Sequence, residues 1–234
     1  SIELTQATFR DLVLISAIPA FLAVIVLAIG AREIRTSSAK PSLGLKGSFR
    51  ALSGDFKFFL LVIAVFTLGN SSDAFLVLRA QERGLNVAGV IAMLITFNLI
   101  YAAASGPLGA WSDRIGRKKL IIGGWLVYGV IYLGFAAAST GWQIWMVYAL
   151  YGLYYAAVEG TAKAFVADLI PAEQRGTAYG IYNAVVGLMA FPASLLAGIL
   201  WQSLGAGAPF LAGAVLALAA GALLMRHRPQ PSAA

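Results

Sequence analysis

Charged side chains are scarce in this sequence of 234 residues, and their scarcity excludes an ordinary soluble domain. Asp, Glu, Lys and Arg make up 12% of the chain and apolar residues 60%, whereas a soluble domain carries about a quarter charged residues. Apolar stretches of roughly 20 residues recur, each long enough to cross a hydrocarbon layer about 30 Å thick as a helix. The composition therefore predicts a protein whose solvent is lipid.

Cysteine is lacking altogether, and the single histidine, His227, lies near the C-terminal end. A disulfide framework and a thiolate metal site are thereby excluded. The sequence also has no cluster of metal ligands, and no glycine-rich turn that leads from a strand into a helix to hold phosphate. We therefore expect no enzyme, no ATP-driven pump, no metal site and no cofactor.

Apolar runs between charges and turn residues predict an all-α integral membrane protein with about seven transmembrane helices. We place these helices at about 11–31, 57–80, 87–111, 119–138, 142–169, 177–203 and 208–226. A long connection rich in Ser, Thr and Gly is typical of a flexible linker. The predicted regions are an outer N-terminal segment with one lone helix (1–31), a cytoplasmic linker (32–56), a six-helix bundle (57–226) and a cytoplasmic tail (227–234).

Basic residues are concentrated in alternate connections, which predicts the orientation of the chain. One set of connections carries Arg32, Arg35, Lys40, Lys46, Arg50, Lys57, Arg114, Arg117, Lys118, Lys119, Arg175, Arg226 and Arg228. The other set carries only Arg10, Arg79 and Arg83. By the positive-inside rule the first set is cytoplasmic, so the N-terminus lies outside and the C-terminus inside an inner (plasma) membrane. The net charge of +7 belongs to these connections and predicts no nucleic-acid partner.

A compact charged segment separates the third and fourth predicted helices. It reads Gly109-Ala-Trp-Ser-Asp113-Arg114-Ile-Gly116-Arg117-Lys118-Lys119. Gly116 permits a tight turn, and the bases anchor the loop at the level of the lipid headgroups. Asp113 stands at the C-terminal end of its helix, where the helix dipole disfavours an anion, so a nearby positive group should compensate its charge. An ordinary basic hairpin is the simpler alternative, but one Asp and two Gly at fixed spacing argue against it.

This segment resembles the loop motif of the major facilitator superfamily: Gly, three residues, Asp, Arg, any residue, Gly, Arg and two bases between apolar spans. The first helix, Ile15-Ser-Ala-Ile18-Pro19-Ala-Phe-Leu-Ala-Val, looks like the sixth helix of a twelve-helix member. The resemblance covers about residues 10–226 and implies half of a secondary transporter, with its six C-terminal helices arranged as two inverted repeats of three.

The first five helices of such a transporter, and with them half of its central cavity, have no counterpart in this sequence. Ser1 is not an initiator methionine, and the first apolar stretch lacks the pattern of a secretory signal. We therefore expect that the chain begins inside a longer one. Its expected partners are the lipid bilayer, a small-molecule solute and the missing N-terminal helices of the same transporter or another membrane protein.

A second charged stretch follows the fifth predicted helix, with Asp168 seven positions before Arg175. It resembles the acid and Arg pair that joins the family's loop motif in a cytoplasmic charge network, which latches the two halves when that side is closed. Separate solvated charges at helix ends are the alternative, since exposed pairs contribute little. Carried over by position, the cytoplasmic gate comprises Gly109, Asp113, Arg114, Gly116, Arg117, Lys118, Asp168 and Arg175.

Polar residues within the apolar spans are costly in lipid and are candidates for the handling of solute or protons. Asn70-Ser-Ser-Asp73 follows Gly69 and could interrupt the second helix where it lines a cavity. Asp73 is then either a cavity or gating residue, or a group that is satisfied locally. Asn98 and Asn183 are weaker candidates, because a lone amide often only bonds a neighbouring helix.

Glu159 and Lys163 stand four residues apart on the fifth predicted helix, in the favourable order for an ion pair. They form either a structural bridge or a protonatable carboxylate that alternates between Lys163 and a proton or the solute. Several tyrosines could line a cavity for an apolar or sugar-like solute, or could serve packing and the membrane interface. These are Tyr148, Tyr151, Tyr154, Tyr155, Tyr179 and Tyr182.

The leading hypothesis is a solute carrier, or half of one, that works by alternating access. Proton coupling through Asp73 and Glu159 is a further hypothesis. The alternative is a transporter-like scaffold subunit of a larger membrane complex, in which Glu159 and Lys163 merely neutralise each other. The sequence predicts neither the solute nor the direction of transport.

Overall fold

The computed structural model describes residues 17–18, 21–22, 24–26, 29–30, 49–50 and 52–227. The chain divides into two units, Ser1–Leu43 and Gly44–Ala234. The described residues of the first unit are helical and fall within the helix predicted at 11–31. Residues 31–48, which hold most of the predicted linker, and the tail beyond His227 lie outside the described residues.

From residue 52 to residue 227 the second unit consists of seven α-helices and one short 3-10 helix, which confirms the prediction of an all-α protein. The α-helices are α1 (Gly54–Gly69), α2 (Ala74–Glu82), α3 (Val87–Ile115), α4 (Arg117–Ala137), α5 (Gly141–Leu169), α6 (Arg175–Leu204) and α7 (Ala208–Arg226). The 3-10 helix, Ala172–Gln174, leads from α5 into α6.

Five stretches of the described residues are long and apolar enough to cross a membrane. They are Gly54–Glu82, Val87–Ile115, Arg117–Ala137, Ala172–Leu204 and Ala208–Arg226. Helix α5 has 29 residues but is not among them, since tyrosines, glycines and the charges of Glu159 and Lys163 lower its hydropathy. The chain is therefore a multi-pass membrane protein, and α5 is a long helix whose hydropathy falls below that of the five candidate spans.

The helix predicted at 57–80 is interrupted at the polar cluster. The hydroxyl of Ser53 accepts a hydrogen bond from the N–H of Phe56 at 3.2 Å, so α1 starts at Gly54, three residues earlier than predicted. Helix α1 ends at Gly69, and α2 begins only at Ala74. Polar side chains that compete for backbone hydrogen bonds account for the break.

Contacts between the helices place the core around α1, α4, α5 and α7. Helix α4 packs against α5 and α7, while α1 packs against α7 and α6, and α3 packs mainly against α5. Helices α1 and α7 approach closely at Gly69 and Gly213. A Cβ atom on Gly213 would lie only 2.5 Å from the carbonyl oxygen of Gly69. Helices α3 and α6 contribute few buried residues, and most of their apolar surface faces outward.

Candidate functional sites: a polar cavity and two arginine clusters

A cavity of about 270 Å³ lies among α1, α4, α5 and α6. Trp125, Glu159 and Asn183 line it from three of these helices. At 1.5 Å per residue, they lie roughly 12–15 Å along their helices from the end of the bundle at which α3 meets α4. We call that end the basic end. This distance is about half the thickness of a hydrocarbon layer of roughly 30 Å.

Four of the six polar residues predicted to handle solute or protons line this cavity: Asn70, Glu159, Lys163 and Asn183. The other two are elsewhere. Asp73 lies at the break between α1 and α2, where its carboxylate accepts a hydrogen bond from the hydroxyl of Tyr151 at 3.5 Å. The side-chain amide of Asn98 donates to the carbonyl oxygen of Leu94, one turn earlier on its own helix, at 2.8 Å.

Glu159 is held by two donors, one from each of two helices. Its Oε1 atom lies 3.0 Å from Nζ of Lys163, one turn further along α5, as the spacing predicts. Its Oε2 atom accepts a hydrogen bond from the hydroxyl of Tyr101 on α3 at 2.7 Å. Both carboxylate oxygens therefore have partners, although the side chains of Glu159 and Lys163 are only partly buried.

Asn70 faces the tyrosines of α4. Its Oδ1 atom accepts hydrogen bonds from the hydroxyls of Tyr128 at 3.3 Å and Tyr132 at 3.5 Å. The Tyr128 and Tyr132 rings stack with centroids 4.0 Å apart. The Asn70 side chain, at the break between α1 and α2, thus contacts a pair of stacked rings.

Aromatic rings form much of the cavity wall. The rings of Phe66 and Trp125 stack with centroids 4.8 Å apart. Trp125 is fully buried, and its Nε1–H has no hydrogen-bond partner in the described part of the chain. Of the six tyrosines considered in the sequence, three line this cavity, namely Tyr154, Tyr155 and Tyr182.

The remaining three tyrosines have other positions. Tyr148 and Tyr151 are buried in the core. Tyr179 donates a hydrogen bond from its hydroxyl to the backbone carbonyl of Lys163 at 3.1 Å. The tyrosine-rich face of α5 therefore serves both packing and the cavity.

At the basic end, Arg117 joins three groups from α3 and α5. Its guanidinium lies 2.9 Å from Oδ1 of Asp113 and 2.5 Å from Oδ1 of Asp168, and it donates to the carbonyl of Ala164 at 3.0 Å. The expected link between Asp113, Arg117 and Asp168 is thus present in the geometry. Arg175, the fourth predicted member, starts α6 and has no ion pair with any residue between 52 and 227.

The charged segment itself differs from the expected loop. Only Gly116, with φ +95°, separates α3 from α4, so Asp113 and Arg114 belong to α3 while Arg117 and Lys118 belong to α4. Glycine is required there because other residues rarely adopt a positive φ. The residues on both sides of Gly116 are helical, because this one glycine makes the whole turn between the two helices.

The other predicted gate residues have separate environments. The carbonyl of Gly109 accepts a hydrogen bond from the hydroxyl of Ser112 at 2.6 Å, and Arg114 is exposed. Lys118 donates from Nζ to the backbone carbonyl of His227, at the end of α7. The His227 ring stacks on Phe58 and lies 2.9 Å from a carboxylate oxygen of Asp55.

A buried arginine, Arg79, lies at the opposite end of the bundle. The sequence predicted it only as a charged residue in a connection between helices. Arg79 belongs to α2 and is 2% exposed. It donates to the carbonyls of Phe135 at 3.1 Å, Ala136 at 2.9 Å and Ala138 at 3.2 Å, and it pairs with Glu82 at 2.5 Å. Arg79 therefore satisfies the last carbonyls of α4, which a helix cannot satisfy itself.

Three residues important to these sites were not singled out from the sequence: Tyr101, Trp125 and Arg79. Tyr101 is 58 positions from Glu159, so no local spacing connects them. Trp125 looked like any apolar residue of a membrane span. A signal existed for Arg79, because Glu82 follows it at the spacing of a helical ion pair.

The Major Facilitator Superfamily model matches residues 58–234. With the helical bundle and the charged α3–α4 junction, this match shows that the chain belongs to the superfamily.

The chain is similar to several transporters. It is 38% identical over 226 residues to an uncharacterized MFS-type transporter of Methanocaldococcus jannaschii, a match that covers 94% of this chain and 56% of that protein. It is 33% identical over 130 residues to the class C tetracycline resistance protein of Escherichia coli (53% of this chain, 31% of that protein). It is 25% identical over 130 residues to a Na(+), Li(+), K(+)/H(+) antiporter of Planococcus maritimus (53% and 30%).

The chain thus spans about half the length of the first of these relatives and less than a third of the other two. The family and the relatives indicate a transport role rather than catalysis.

Proposed function

We propose that this chain forms the C-terminal part of a secondary transporter that moves a small solute across the membrane by alternating access. The observation that carries the proposal is the cavity inside the helical bundle, where Asn70, Glu159 and Asn183 converge from separate elements. Polar and charged groups at this depth are costly in lipid unless they line a water-accessible or solute-binding space.

Proton coupling is part of the proposal and is assigned to Glu159. This carboxylate has a cation on its own helix and a hydroxyl donor on α3, so it can exchange one partner without losing both. Asp73, the second carboxylate that we considered, lies outside the cavity beside Tyr151 and is a weaker choice.

The Arg117 cluster supports a gating role for the basic end. Arg117 holds α3 and α5 together through two half-exposed carboxylates, which another helix carrying opposite charge could approach. In this proposal the basic end is cytoplasmic, the N-terminus of the chain is outside, and the outward faces of α3 and α6 receive the five N-terminal helices of the complete transporter.

Single-cysteine labelling tests alternating access without knowledge of the solute. The present chain has no cysteine, so Val186→Cys, in the cavity wall, introduces one reporter in a full-length protein freed of any other cysteine. In sealed vesicles of either orientation, we expect a membrane-impermeant maleimide to label Cys at this position from both sides. Labelling from one side only would favour the scaffold subunit and contradict the proposal.

Two control positions at the ends of the bundle calibrate this labelling. Ser139 is exposed between α4 and α5, and Glu173 is exposed between α5 and α6. We expect Glu173→Cys to react only from the cytoplasmic side and Ser139→Cys only from the outside. The reverse result would overturn the proposed orientation but not the transport proposal.

A further inference from the structure

A second cavity, of about 420 Å³, lies at the end of the bundle opposite the basic end. Arg79, Glu82 and Arg83 line it from the end of α2, and the turn at 205–207 lines it between α6 and α7. Helices α4 and α6 end, and α7 begins, at this wall. Because membrane spans end near the lipid headgroups, we expect this space, which we call the Arg83 cavity, at headgroup level.

The three charged side chains of the Arg83 cavity do not balance. Glu82 lies 2.5 Å from Arg79, so these two form a neutral pair, and Arg79 also donates to three backbone carbonyls. The charge of Arg83 has no equal partner in the wall. Helix α7 begins in the same wall without a side-chain cap, and its dipole adds partial positive charge there. The cavity therefore carries an excess of positive charge.

The Arg83 side chain is available to a ligand. Its ion pair within residues 52–227, with Oε1 of Glu82, is 3.6 Å long, which is beyond hydrogen-bond distance. Its Nε–H has no partner among the same residues, and the side chain as a whole is 32% exposed. A molecule in the cavity can therefore reach this guanidinium, whose fork of N–H groups matches two oxygens of a phosphate group.

Apolar side chains continue from the Arg83 cavity along one face of α7. Leu204 and Leu211 line the cavity and are 73% and 50% exposed. Val215 and Leu218 follow Leu211 at four and seven positions, which places them on the same face of the helix, and both are exposed. A small hydrophilic anion gains nothing from this face, whereas the acyl chain of a lipid can pack along it.

We propose that the Arg83 cavity binds an anionic glycerophospholipid. Its phosphate accepts hydrogen bonds from Arg83, and an acyl chain lies along Leu211, Val215 and Leu218. The excess positive charge favours a lipid with a net negative charge over a zwitterionic one. This site is separate from the cavity that contains Glu159, and it does not depend on the proposed transport function.

Native mass spectrometry of the full-length protein in detergent tests this inference, because it counts bound lipid molecules. Dioleoylphosphatidylglycerol and dioleoylphosphatidylcholine share their acyl chains and phosphate and differ in net charge. We expect the first molecule of phosphatidylglycerol to bind about tenfold more tightly than the first molecule of phosphatidylcholine. Equal affinities, or tighter binding of phosphatidylcholine, would overturn the inference.

Arg83→Gln removes the charge and the guanidinium fork, so it should weaken the binding of the first phosphatidylglycerol about tenfold. The matched control is Arg226→Gln, which removes an exposed arginine at the other end of α7 and should leave this affinity unchanged. Equal losses in the two variants would show that the lipid responds only to overall charge, and this result would overturn the inference.

A second variant leaves every charge in place. Leu211→Asn makes a half-exposed apolar residue polar, and it should weaken phosphatidylglycerol binding by disturbing the acyl chain. It also serves if Arg83→Gln is unstable. Unchanged affinity in Leu211→Asn and in a folded Arg83→Gln would contradict the proposed site.

Inorganic phosphate distinguishes a lipid site from a site for a free anion. This ion offers Arg83 the same oxygens but has no acyl chain, so isothermal titration calorimetry of the lipid-free protein should show no phosphate binding that Arg83→Gln abolishes. Phosphate binding that depends on Arg83, together with displacement of phosphatidylglycerol by phosphate, would make this a free-anion site and overturn the lipid assignment.

Discussion

Two arginines, one at each end of the bundle, tie helices together in different ways. Arg79 is 2% exposed and donates three hydrogen bonds to backbone carbonyls at the end of α4. The side chain of Arg117 is 27% exposed and is directed chiefly at the carboxylates of Asp113 and Asp168. Carbonyls fixed in a helix end cannot find another partner, whereas carboxylates in water can.

This difference separates a structural arginine from one suited to switching. Breaking the Arg79 cluster would leave several buried acceptors without donors, at a high cost in stability. Breaking the Arg117 cluster would expose carboxylates that water can solvate, at a low cost. A gate must open and close many times, so only the second arrangement is suitable for it.

The largest effect is expected from Arg79→Met. Loss of the guanidinium leaves the Phe135, Ala136 and Ala138 carbonyls without their donor and removes the shorter of the two ion pairs of Glu82, which should lower the free energy of unfolding by about 3–5 kcal/mol. Urea or thermal unfolding of the full-length protein in detergent measures the change. Arg83→Met, a neighbouring partly exposed arginine, is the control and should have a much smaller effect. Similar losses in the two variants would show that the burial of Arg79 is unimportant.

Arg117→Met should affect transport more than stability. The expected loss in the free energy of unfolding is about 1 kcal/mol, because the pairs with Asp113 and Asp168 are half exposed. If the cluster is part of the gate, the rate of solute uptake into proteoliposomes should fall at least tenfold, with folded protein at normal yield. A transport rate near that of the unchanged protein would make Arg117 a structural residue like Arg79.

Asp113 and Asp168 should be coupled, since both contact the same guanidinium. A double-mutant cycle with Asp113→Asn and Asp168→Asn should give an interaction energy of at least about 0.5 kcal/mol in unfolding experiments. Additive effects within experimental error would mean that Arg117 serves one carboxylate at a time, and the cluster would then be two independent pairs.

The smallest effect is expected from Arg175→Gln. Arg175 was predicted to join the Arg117 cluster, but it forms no ion pair within the described residues. We therefore expect an unfolding midpoint equal to that of the unchanged protein. If transport nevertheless falls, Arg175 acts in another conformation or on the N-terminal helices, which would extend the basic-end network beyond this chain.

The sequence predicted the helices well because lipid imposes a length and a polarity that apolar runs display directly. It also predicted the break after Gly69 and the pairing of Glu159 with Lys163, since both depend on neighbours within one turn or less of helix. Contacts between distant positions could not be read in the same way. The bond from Tyr101 to Glu159 joins α3 to α5, and it depends on how the two helices face each other.

Arg79 and Trp125 show two other limits of the sequence. A charge near the end of an apolar run looks like an anchor in the headgroups, so the burial of Arg79 under the end of α4 could not be anticipated. The N–H of Trp125 becomes informative only when its lack of a partner is known, and that knowledge requires the packed bundle. Arg175 was placed in the network by resemblance, and its spacing from Asp168 alone does not bring it to Arg117.

The polarity of α5 has a consequence for how the protein is made. This helix carries Glu159, Lys163 and a row of tyrosines, and it falls short of the hydropathy that its five neighbouring spans reach. Presented alone to the insertion machinery of the cell, such a segment would partition poorly into lipid. We expect α5 to pack against α4, to which the short turn at Ser139 joins it, and to insert into the bilayer together with α4 rather than alone. Biogenesis of the bundle would then depend on a helical hairpin rather than on one segment at a time.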